Sequence, residues 1–271
     1  MKKIMQWVLA AILICGTAAL TGCSKEKDDE PSGTDLTQKI VGKWLYVESD
    51  GALVATSESS VTTFALEGST LKAYPSQSLP DYGLWVHNQP TEVVMDDKKI
   101  TLTVHSGDLT TVEEMSNISV VGDNLNYTSK YTILRNGEVI EAMGPYQLRC
   151  MKVQDDYSQI FIGRWEGEIT SNEPGFTPKP FCEEYHADGT NTEYELKDGQ
   201  WVEVEAEYTE YFIDGTLLCT RWRYPGQAEE RENSIFMSYD DASKTIILIE
   251  MVARGEHLYT ETSTLKRAGD N

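Results

Sequence analysis

The side chains with most potential for metal or acid–base chemistry are four histidines scattered along the 271 residues: His87, His105, His186 and His257. None of them has the His-Glu-x-x-His spacing of a helical zinc site. In a strand, Glu184 and His186 would share a face, and Asp188 follows closely. A polar strand end beside a turn explains this cluster more simply, so we predict no metal site.

Adjacent acidic residues form a second set of candidates: Asp96-Asp97, Glu113-Glu114, Asp155-Asp156, Glu229-Glu230 and Asp240-Asp241. Hydrolysis of a glycoside needs two carboxyl groups on opposite sides of a sugar, and sequence neighbours do not supply that arrangement. The chain also has no Gly-x-Ser-x-Gly elbow, no glycine-rich phosphate loop and no calcium-loop spacing. We therefore predict no catalytic residue, no cofactor and no enzymatic activity.

Aromatic side chains are better candidates for ligand binding, and those of most interest are Trp85, Tyr208, Trp222 and Tyr224. Strand alternation places the last three on the inner face of a predicted sheet, where they could line a pocket or stack on a sugar ring. The alternative is that they fill an ordinary core, because an eight-stranded barrel is just wide enough for its own side chains. Both interpretations stay open at this point.

The first residues have the order of an export signal. Lys2 and Lys3 precede an apolar run over residues 7–15, which is shorter than the roughly 20 residues that span a membrane. The segment then ends in Leu20-Thr21-Gly22-Cys23, which resembles the lipobox of bacterial lipoproteins. The resemblance implies a signal peptide over residues 1–22 and a diacylglycerol anchor on Cys23.

A polar segment over residues 23–35 is predicted to be a flexible acidic tether. Within it, Lys27-Asp28-Asp29-Glu30 resembles the acidic export tag that directs some lipoproteins to the outer face of the cell. We therefore expect a lipid-anchored outer-membrane protein exposed at the surface, with the periplasm-facing leaflet as the alternative. The net charge of −21 argues against nucleic acid as a partner, because binding phosphates requires clustered Lys and Arg.

A nine-residue segment occurs twice, once at the start of each half of the chain. Leu36-Thr37-Gln38-Lys39-Ile40-Val41-Gly42-Lys43-Trp44 aligns without a gap to Tyr157-Ser158-Gln159-Ile160-Phe161-Ile162-Gly163-Arg164-Trp165. Such a match predicts a tandem of related domains over residues 36–153 and 157–268, joined by a linker over 154–158. The residues before each Gly-x-Trp are expected to form a short helical turn.

Period-2 alternation dominates the rest of the chain and predicts an all-β fold. In the second half we predict strands near residues 164–170, 180–187, 190–197, 201–213, 216–224, 233–239, 245–252 and 257–266. Hairpin turns are predicted at Gly122-Asp123, Asn136-Gly137, Asp188-Gly189, Asp198-Gly199 and Asp214-Gly215. Sequential strands with short turns indicate two antiparallel up-and-down β-barrels of approximately eight strands each.

A Gly-x-Trp before the first strand of such a meander resembles the lipocalin superfamily, and more closely the small lipocalin-like domains of bacterial exported lipoproteins. In that family the tryptophan packs across the closed end of the barrel against a basic residue of the last strand. The resemblance implies that Gly42, Trp44 and Arg149 close the first barrel. The corresponding residues of the second are Gly163 and Trp165, with Lys266 or Arg267 as the basic partner.

The role expected for this protein is non-catalytic binding or an accessory function in the cell envelope, with an unidentified small molecule or envelope protein as partner. The first alternative is a surface interaction module whose barrels are filled, and an envelope hydrolase is the least supported. Cys150, Cys182 and Cys219 are expected to be free, because Cys182 and Cys219 fall on non-adjacent predicted strands.

Overall fold

Antiparallel strands make up most of the computed structural model, which describes residues 33–96 and 98–269. The signal peptide predicted over residues 1–22, the lipidated Cys23 and most of the tether predicted over 23–35 lie outside these residues. Within the described ranges, no helix is long and apolar enough to cross a membrane. The all-β, antiparallel class predicted from the period-2 patterns is confirmed.

A short helix, α1 (Gly33–Ile40), precedes the first Gly-x-Trp, as predicted. Its first three residues, 33–35, fall within the segment predicted as tether. Leu36 and Ile40 lie one helical turn apart and are both buried, so they form the apolar face of this helix. Before the second motif the chain makes a matching turn, in which the amide of Phe161 donates to the carbonyl of Tyr157 over 3.0 Å.

The first half of the chain forms one ten-stranded sheet. Its strands are β1 (Gly42–Ser49), β2 (Ala52–Leu53), β3 (Ser60–Glu67), β4 (Thr70–Leu79), β5 (Leu84–Val86), β6 (Glu92–Met95), β7 (Lys99–Ser106), β8 (Leu109–Val121), β9 (Asn124–Arg135) and β10 (Glu138–Lys152). They are ordered β5-β4-β3-β1-β10-β9-β8-β7-β6, and β2 pairs with β1. Thus the first long strand pairs with the last.

The second half forms a nine-stranded sheet with the same arrangement. Its strands are β11 (Gly163–Ser171), β12 (Lys179–Tyr185), β13 (Asn191–Lys197), β14 (Gln200–Glu203), β15 (Tyr208–Asp214), β16 (Leu217–Arg223), β17 (Glu230–Asp240), β18 (Thr245–Arg254) and β19 (His257–Arg267). They are ordered β14-β13-β12-β11-β19-β18-β17-β16-β15, so β11 also pairs with the last strand.

Both sheets curl until strands near their two ends meet. In the first sheet the amide of Thr91, just before β6, donates to the carbonyl of Ala73 in β4 over 2.9 Å. In the second, the amide of Tyr211 in β15 donates to the carbonyl of Gly189, just before β13, over 2.8 Å. These contacts satisfy backbone groups that an open edge would leave unpaired.

The strand predicted over residues 201–213 is wrong in one respect, because the structure divides it into β14 and β15. β14 pairs with β13 at one end of the sheet, whereas β15 pairs with β16 at the other end. The amide of Val204 still bonds back to Glu193, and that of Glu207 already bonds to Arg223. Residues 204–207 therefore carry the chain from one end of the sheet to the other, and they interrupt the alternation of inward-facing and outward-facing side chains.

The two sheets share an apolar core formed by their outer faces. Leu45, Val47 and Val61 of the first sheet pack with residues of the second, which are Phe212, Leu217, Cys219, Ile235, Ile249 and Met251. Asn233 is buried there, and its side-chain amide donates to the carbonyls of Thr56 and Ser78, both over 3.1 Å. Residues 33–269 consequently belong to one compact unit.

Candidate functional site

The two Gly-x-Trp segments have equivalent environments at one end of each sheet. Trp44 is 2% exposed and Trp165 is 0% exposed. Each indole N–H donates over 2.7 Å to the carbonyl four residues earlier, that of Ile40 for Trp44 and that of Phe161 for Trp165. These bonds fix the preceding helical turn to the sheet and satisfy the one polar atom of each buried ring.

The basic residue beside Trp44 differs from the expected one, whereas the residue beside Trp165 is one of the two expected. Lys152 lies opposite Trp44 in register, with its ammonium nitrogen 5.9 Å from the ring centroid. Arg149, the expected partner, instead donates to Glu48 over 2.6 Å, because an odd offset from Lys152 points it to the other face. The two sheets therefore share a basic residue at the register position opposite the tryptophan.

In the second sheet that register position is occupied by Arg267, which lies opposite Trp165 and donates to the carbonyl of Ile162 over 2.9 Å. Lys266 is exposed and points outward. Gly42 and Gly163 have φ of +141° and +121°. A Cβ at Gly163 would come within 3.1 Å of Arg267 Nη2, so this glycine leaves room for the guanidinium group.

The interior of the first sheet is almost filled by its own side chains. Trp44, Phe64, Met115 and other apolar residues pack inside it, and a cavity of only about 50 Å³ remains. One carboxyl group, that of Glu113, lies in this interior and accepts a 2.8 Å hydrogen bond from the Ser129 hydroxyl. Burial raises its pKa above the usual value.

The interior of the second sheet contains a cavity of about 280 Å³. Its floor is formed by Tyr185, whose ring centroid lies 4.3 Å from that of Phe161 beside Trp165. Other aromatic residues form the walls: Phe181, Trp222 and Tyr224. Apolar contacts come from Ile169, Leu218 and Leu248. Such a combination of rings and a few polar groups is typical of ligand pockets.

Five glutamates from five different strands or strand ends also line this cavity, namely Glu183, Glu193, Glu232, Glu250 and Glu261. The side chains that hydrogen-bond to these glutamates are mainly neutral or acidic. Asn191 donates to Glu183 over 3.1 Å, and the Tyr224 hydroxyl donates to Glu193. Lys179 is the one basic residue among the described residues of the lining.

Two of the carboxyl groups, those of Glu232 and Glu250, hydrogen-bond to each other. Glu232 keeps accessible surface because it faces the cavity, and the Ser234 hydroxyl also bonds to it. Arg254 bonds to Glu261 over 3.0 Å and to Glu173 over 3.0 Å near the end of β18. Arg254 therefore pairs with Glu261 and Glu173, and among the described residues neither Glu232 nor Glu250 forms an ion pair.

This arrangement keeps protons on the inner carboxyl groups. Loss of water, followed by the charges of Glu232 and Glu193, raises the pKa of Glu183 from 4.5 to about 8. Desolvation raises the pKa of Glu232, and desolvation together with the charge of Glu232 raises that of Glu250. At neutral pH Glu183 and Glu250, with pKa values of about 8 and about 9, are therefore largely neutral acids that both donate and accept hydrogen bonds.

Of the aromatic residues chosen from the sequence, Trp222 and Tyr224 line the cavity. Tyr208 does not, because it pairs with Arg223 on the outer face and hydrogen-bonds to Glu229. The irregular residues 204–207 shift the alternation by one position, so Thr209 faces inward instead.

Trp85 lies outside both interiors, at the contact between the sheets. Its ring centroid is 4.8 Å from that of Phe212, and the guanidinium carbons of Arg221 and Arg231 lie 4.7 and 5.8 Å from it. His186 bonds to the hydroxyl of Thr192 over 3.1 Å. Across the part of the chain described, no group of three or more His, Cys, Asp or Glu has the arrangement of a metal site.

None of the five cavity glutamates was identified as a candidate from the sequence, although the pattern contains a signal for two of them. Ile246, Leu248 and Glu250 fall at alternate positions of β18, so a carboxyl group occupies a position whose neighbours are inward and apolar. The same holds for Glu261 ahead of Ser263 and Leu265 in β19. The three described cysteines are free and buried.

No family model matches this chain, and no curated protein matches it. A crystal structure of a DUF3598-family protein of unknown function from Nostoc punctiforme is similar at a TM-score of 0.24 and 11% identity, covering 88% of this chain and 100% of that one. Kievitone hydratase from Nectria haematococca is similar at a TM-score of 0.22 and 10% identity, covering 85% and 90%. We therefore interpret the cavity from its own residues.

Proposed function

We propose that this protein binds a small molecule inside its second sheet and performs no catalysis. The observation that carries the proposal is the cavity of about 280 Å³, which is close to the lower end of the usual volume of ligand pockets, ~300 Å³. Its aromatic walls offer ring faces and its carboxyl groups offer directed hydrogen bonds. The first interior, with about 50 Å³, has no comparable room.

We further propose that each sheet is a lipocalin-like β-barrel of approximately eight long strands, and that the two are related tandem domains. Three observations support this proposal: first-to-last strand pairing in both sheets, hydrogen bonds between strands near the two ends, and matched indole bonds to the carbonyl four residues earlier. In such a barrel the tryptophan end is closed, and a ligand enters from the opposite end. Lys179, Trp222 and Tyr224 lie toward that opposite end.

The cellular part of the proposal comes from the sequence. A lipobox-like Leu20-Thr21-Gly22-Cys23 and an acidic segment after it support a lipid-anchored protein of the outer membrane, facing the cell surface. We expect Cys23→Ala to abolish metabolic labelling with a fatty acid. Labelling that persists in this variant would contradict the anchor, and protease accessibility on intact cells would separate the surface from the periplasm-facing leaflet.

Native mass spectrometry of the protein extracted from its own membrane tests the binding role. We expect a co-purified ligand that is lost in Ser263→Phe, because Ser263 faces the cavity. The matched control is Thr264→Phe, whose side chain is exposed on the other face of the same strand. Binding that survives Ser263→Phe in a folded protein would contradict the cavity as the site.

A panel of small aromatic fragments provides a second test that needs no natural ligand. Neutral, cationic and anionic members are screened by ligand-observed NMR against the wild type and the same two variants. At least one fragment is expected to bind the wild type and Thr264→Phe but not Ser263→Phe. If no fragment of any charge binds the wild type, the proposed function is wrong.

A further inference from the structure

We propose that the cavity of the second sheet selects an organic cation, a guanidinium or ammonium group on a small aromatic or apolar body. This inference rests on the proposed binding function and adds the charge of the ligand to it. It stands on three features of the cavity: its volume, its aromatic walls and the excess of carboxyl groups inside it.

The walls offer the ring faces that a cation requires. Trp222 and Tyr224, at the end of β16, and Tyr185, at the end of β12, border the same space. A cation within about 6 Å of an indole or phenol centroid is attracted by the negative ring face, and the attraction grows when water is excluded. The volume of about 280 Å³ holds one such group together with a small ring.

The carboxyl groups supply the charge that would complete the site. Glu183, Glu232 and Glu250 come from β12, β17 and β18 and border one cavity, and Arg254 contacts Glu261 and Glu173 instead. Ion pairs in partly enclosed sites gain from low effective dielectric, and a planar guanidinium fork can bond two oxygens at once. An anionic ligand would meet only repulsion from these groups once they are ionised.

The empty and occupied cavities differ in their protons. Without a ligand, loss of water and mutual repulsion raise the pKa of the three carboxyl groups and so favour their protonated form. A bound cation favours the carboxylate form, so binding releases protons and strengthens as the pH rises. The other charged or titratable groups that face them are Lys179, Tyr185, Glu193, Tyr224, Arg254 and Glu261.

The first sheet provides an internal contrast. Its single interior carboxyl group, that of Glu113, is bonded by Ser129 and approached by Tyr127 and Tyr131, with about 50 Å³ left beside it. A lone enclosed carboxyl group can be satisfied by hydroxyl donors. In the second sheet three carboxyl groups face one cavity, and two of them bond to each other. Their remaining oxygen lone pairs can accept hydrogen bonds from a ligand.

The test compares benzylguanidine with benzylurea, which have nearly the same shape but differ in charge. Isothermal titration calorimetry on the mature protein is carried out at pH 7 and pH 9. We expect benzylguanidine to bind at least about tenfold more tightly than benzylurea, which corresponds to ~1.4 kcal/mol. Its affinity should rise from pH 7 to pH 9, with net proton release at pH 7, whereas that of benzylurea should not change.

Variants assign the effect to the carboxyl groups. Glu232→Gln and Glu250→Gln each replace a carboxyl group by an amide of the same shape, so the fold is expected to persist. Each should weaken benzylguanidine about tenfold and leave benzylurea unchanged, and the exposed Glu205→Gln serves as control. Equal binding of the two compounds would overturn the cation proposal but keep the binding function. Binding of neither would overturn the cation proposal, and an unresponsive fragment panel would overturn both.

Discussion

The two sheets have equivalent tryptophan environments at one end but differ in their interiors. Trp44 and Trp165 are both buried, and both donate to the carbonyl four residues earlier. Beyond this shared end, the first interior leaves about 50 Å³ and the second about 280 Å³. The buried tryptophan thus fixes the helical turn at one end of each curled sheet, whereas the inward-facing residues decide whether the sheet is hollow.

One position illustrates this difference. Two residues after the tryptophan, the first sheet has Tyr46, whose ring occupies the interior, and the second has Gly167. A Cβ at Gly167 would overlap the carbonyl oxygen of Thr264 in β19. The glycine thus allows the first and last strands to approach closely, and it leaves the interior without a large ring at this height.

The largest effect should come from removing the shared end. Trp44→Ala and Trp165→Ala should each lower the free energy of unfolding by about 3–5 kcal/mol, because each deletes a buried ring and leaves a cavity. Urea unfolding of both variants provides the measurement. A cost below about 1 kcal/mol in either sheet would show that the two ends are not equivalent.

A smaller loss is expected at the position where the interiors diverge. Gly167→Ala should cost about 1–3 kcal/mol, because a Cβ there collides with backbone that must move. Gly175→Ala is a control in a loop, with nothing close to its added Cβ but a positive φ of +84°. If Gly167→Ala is no more costly than this control, close strand approach does not shape the second interior.

The carboxyl groups of the second interior should make stability depend on pH. The folded protein keeps the Glu183 proton up to a pKa of about 8, whereas the unfolded chain loses it near 4.5. The folded state therefore binds more protons between these values, and its stability falls as the pH rises through this window. Below the window both states are protonated and the penalty vanishes.

Glu183→Gln should remove this penalty and raise stability at pH 9 relative to wild type, by about 1–3 kcal/mol. Urea unfolding at pH 4, 7 and 9 measures the effect, with the exposed Glu205→Gln as control. An equal pH dependence in wild type and Glu183→Gln would mean that Glu183 is ionised in the folded protein.

The smallest effect on stability concerns the basic residues of β10 in the first sheet, Arg149 and Lys152. Arg149→Ala removes a partly exposed pair with Glu48 and should cost less than about 1 kcal/mol. The stability cost of Lys152→Ala should depend less on added salt than that of Arg149→Ala. The contact of Lys152 with the Trp44 ring includes packing of its methylene groups, which salt does not screen. If salt removes the cost of Lys152→Ala entirely, the contact with the ring is not important.

Much of the fold could be predicted because its local signals are strong. Positive φ at Asn136-Gly137 and at Asp198-Gly199 agrees with the predicted two-residue hairpins. The alternating strands follow from period-2 burial, as in Ile100 and Leu102 of β7. These features depend on residues that are close in sequence, which is why the pattern alone reveals them.

The features that could not be predicted depend on distant residues. Leu217 and Cys219 alternate with Leu218 and would be solvent-facing in an isolated sheet, yet they are buried where the two sheets meet. The correct partner of Trp44 depends on the register of β1 against β10, which places Lys152 opposite the ring. The face of the sheet on which Tyr208 lies depends on the irregular residues 204–207, which connect the two ends of the sheet.

An NMR titration tests the central claim most directly, namely that the second interior accepts a ligand and the first does not. Methyl signals are assigned for Leu218 and Leu248 of the second interior, and for Leu102 and Leu125 of the first. On addition of benzylguanidine or benzylurea, we predict saturable shifts at Leu218 and Leu248, with Leu102 and Leu125 unchanged. Saturable shifts at Leu102 and Leu125, or none at Leu218 and Leu248 with either compound, would contradict the account.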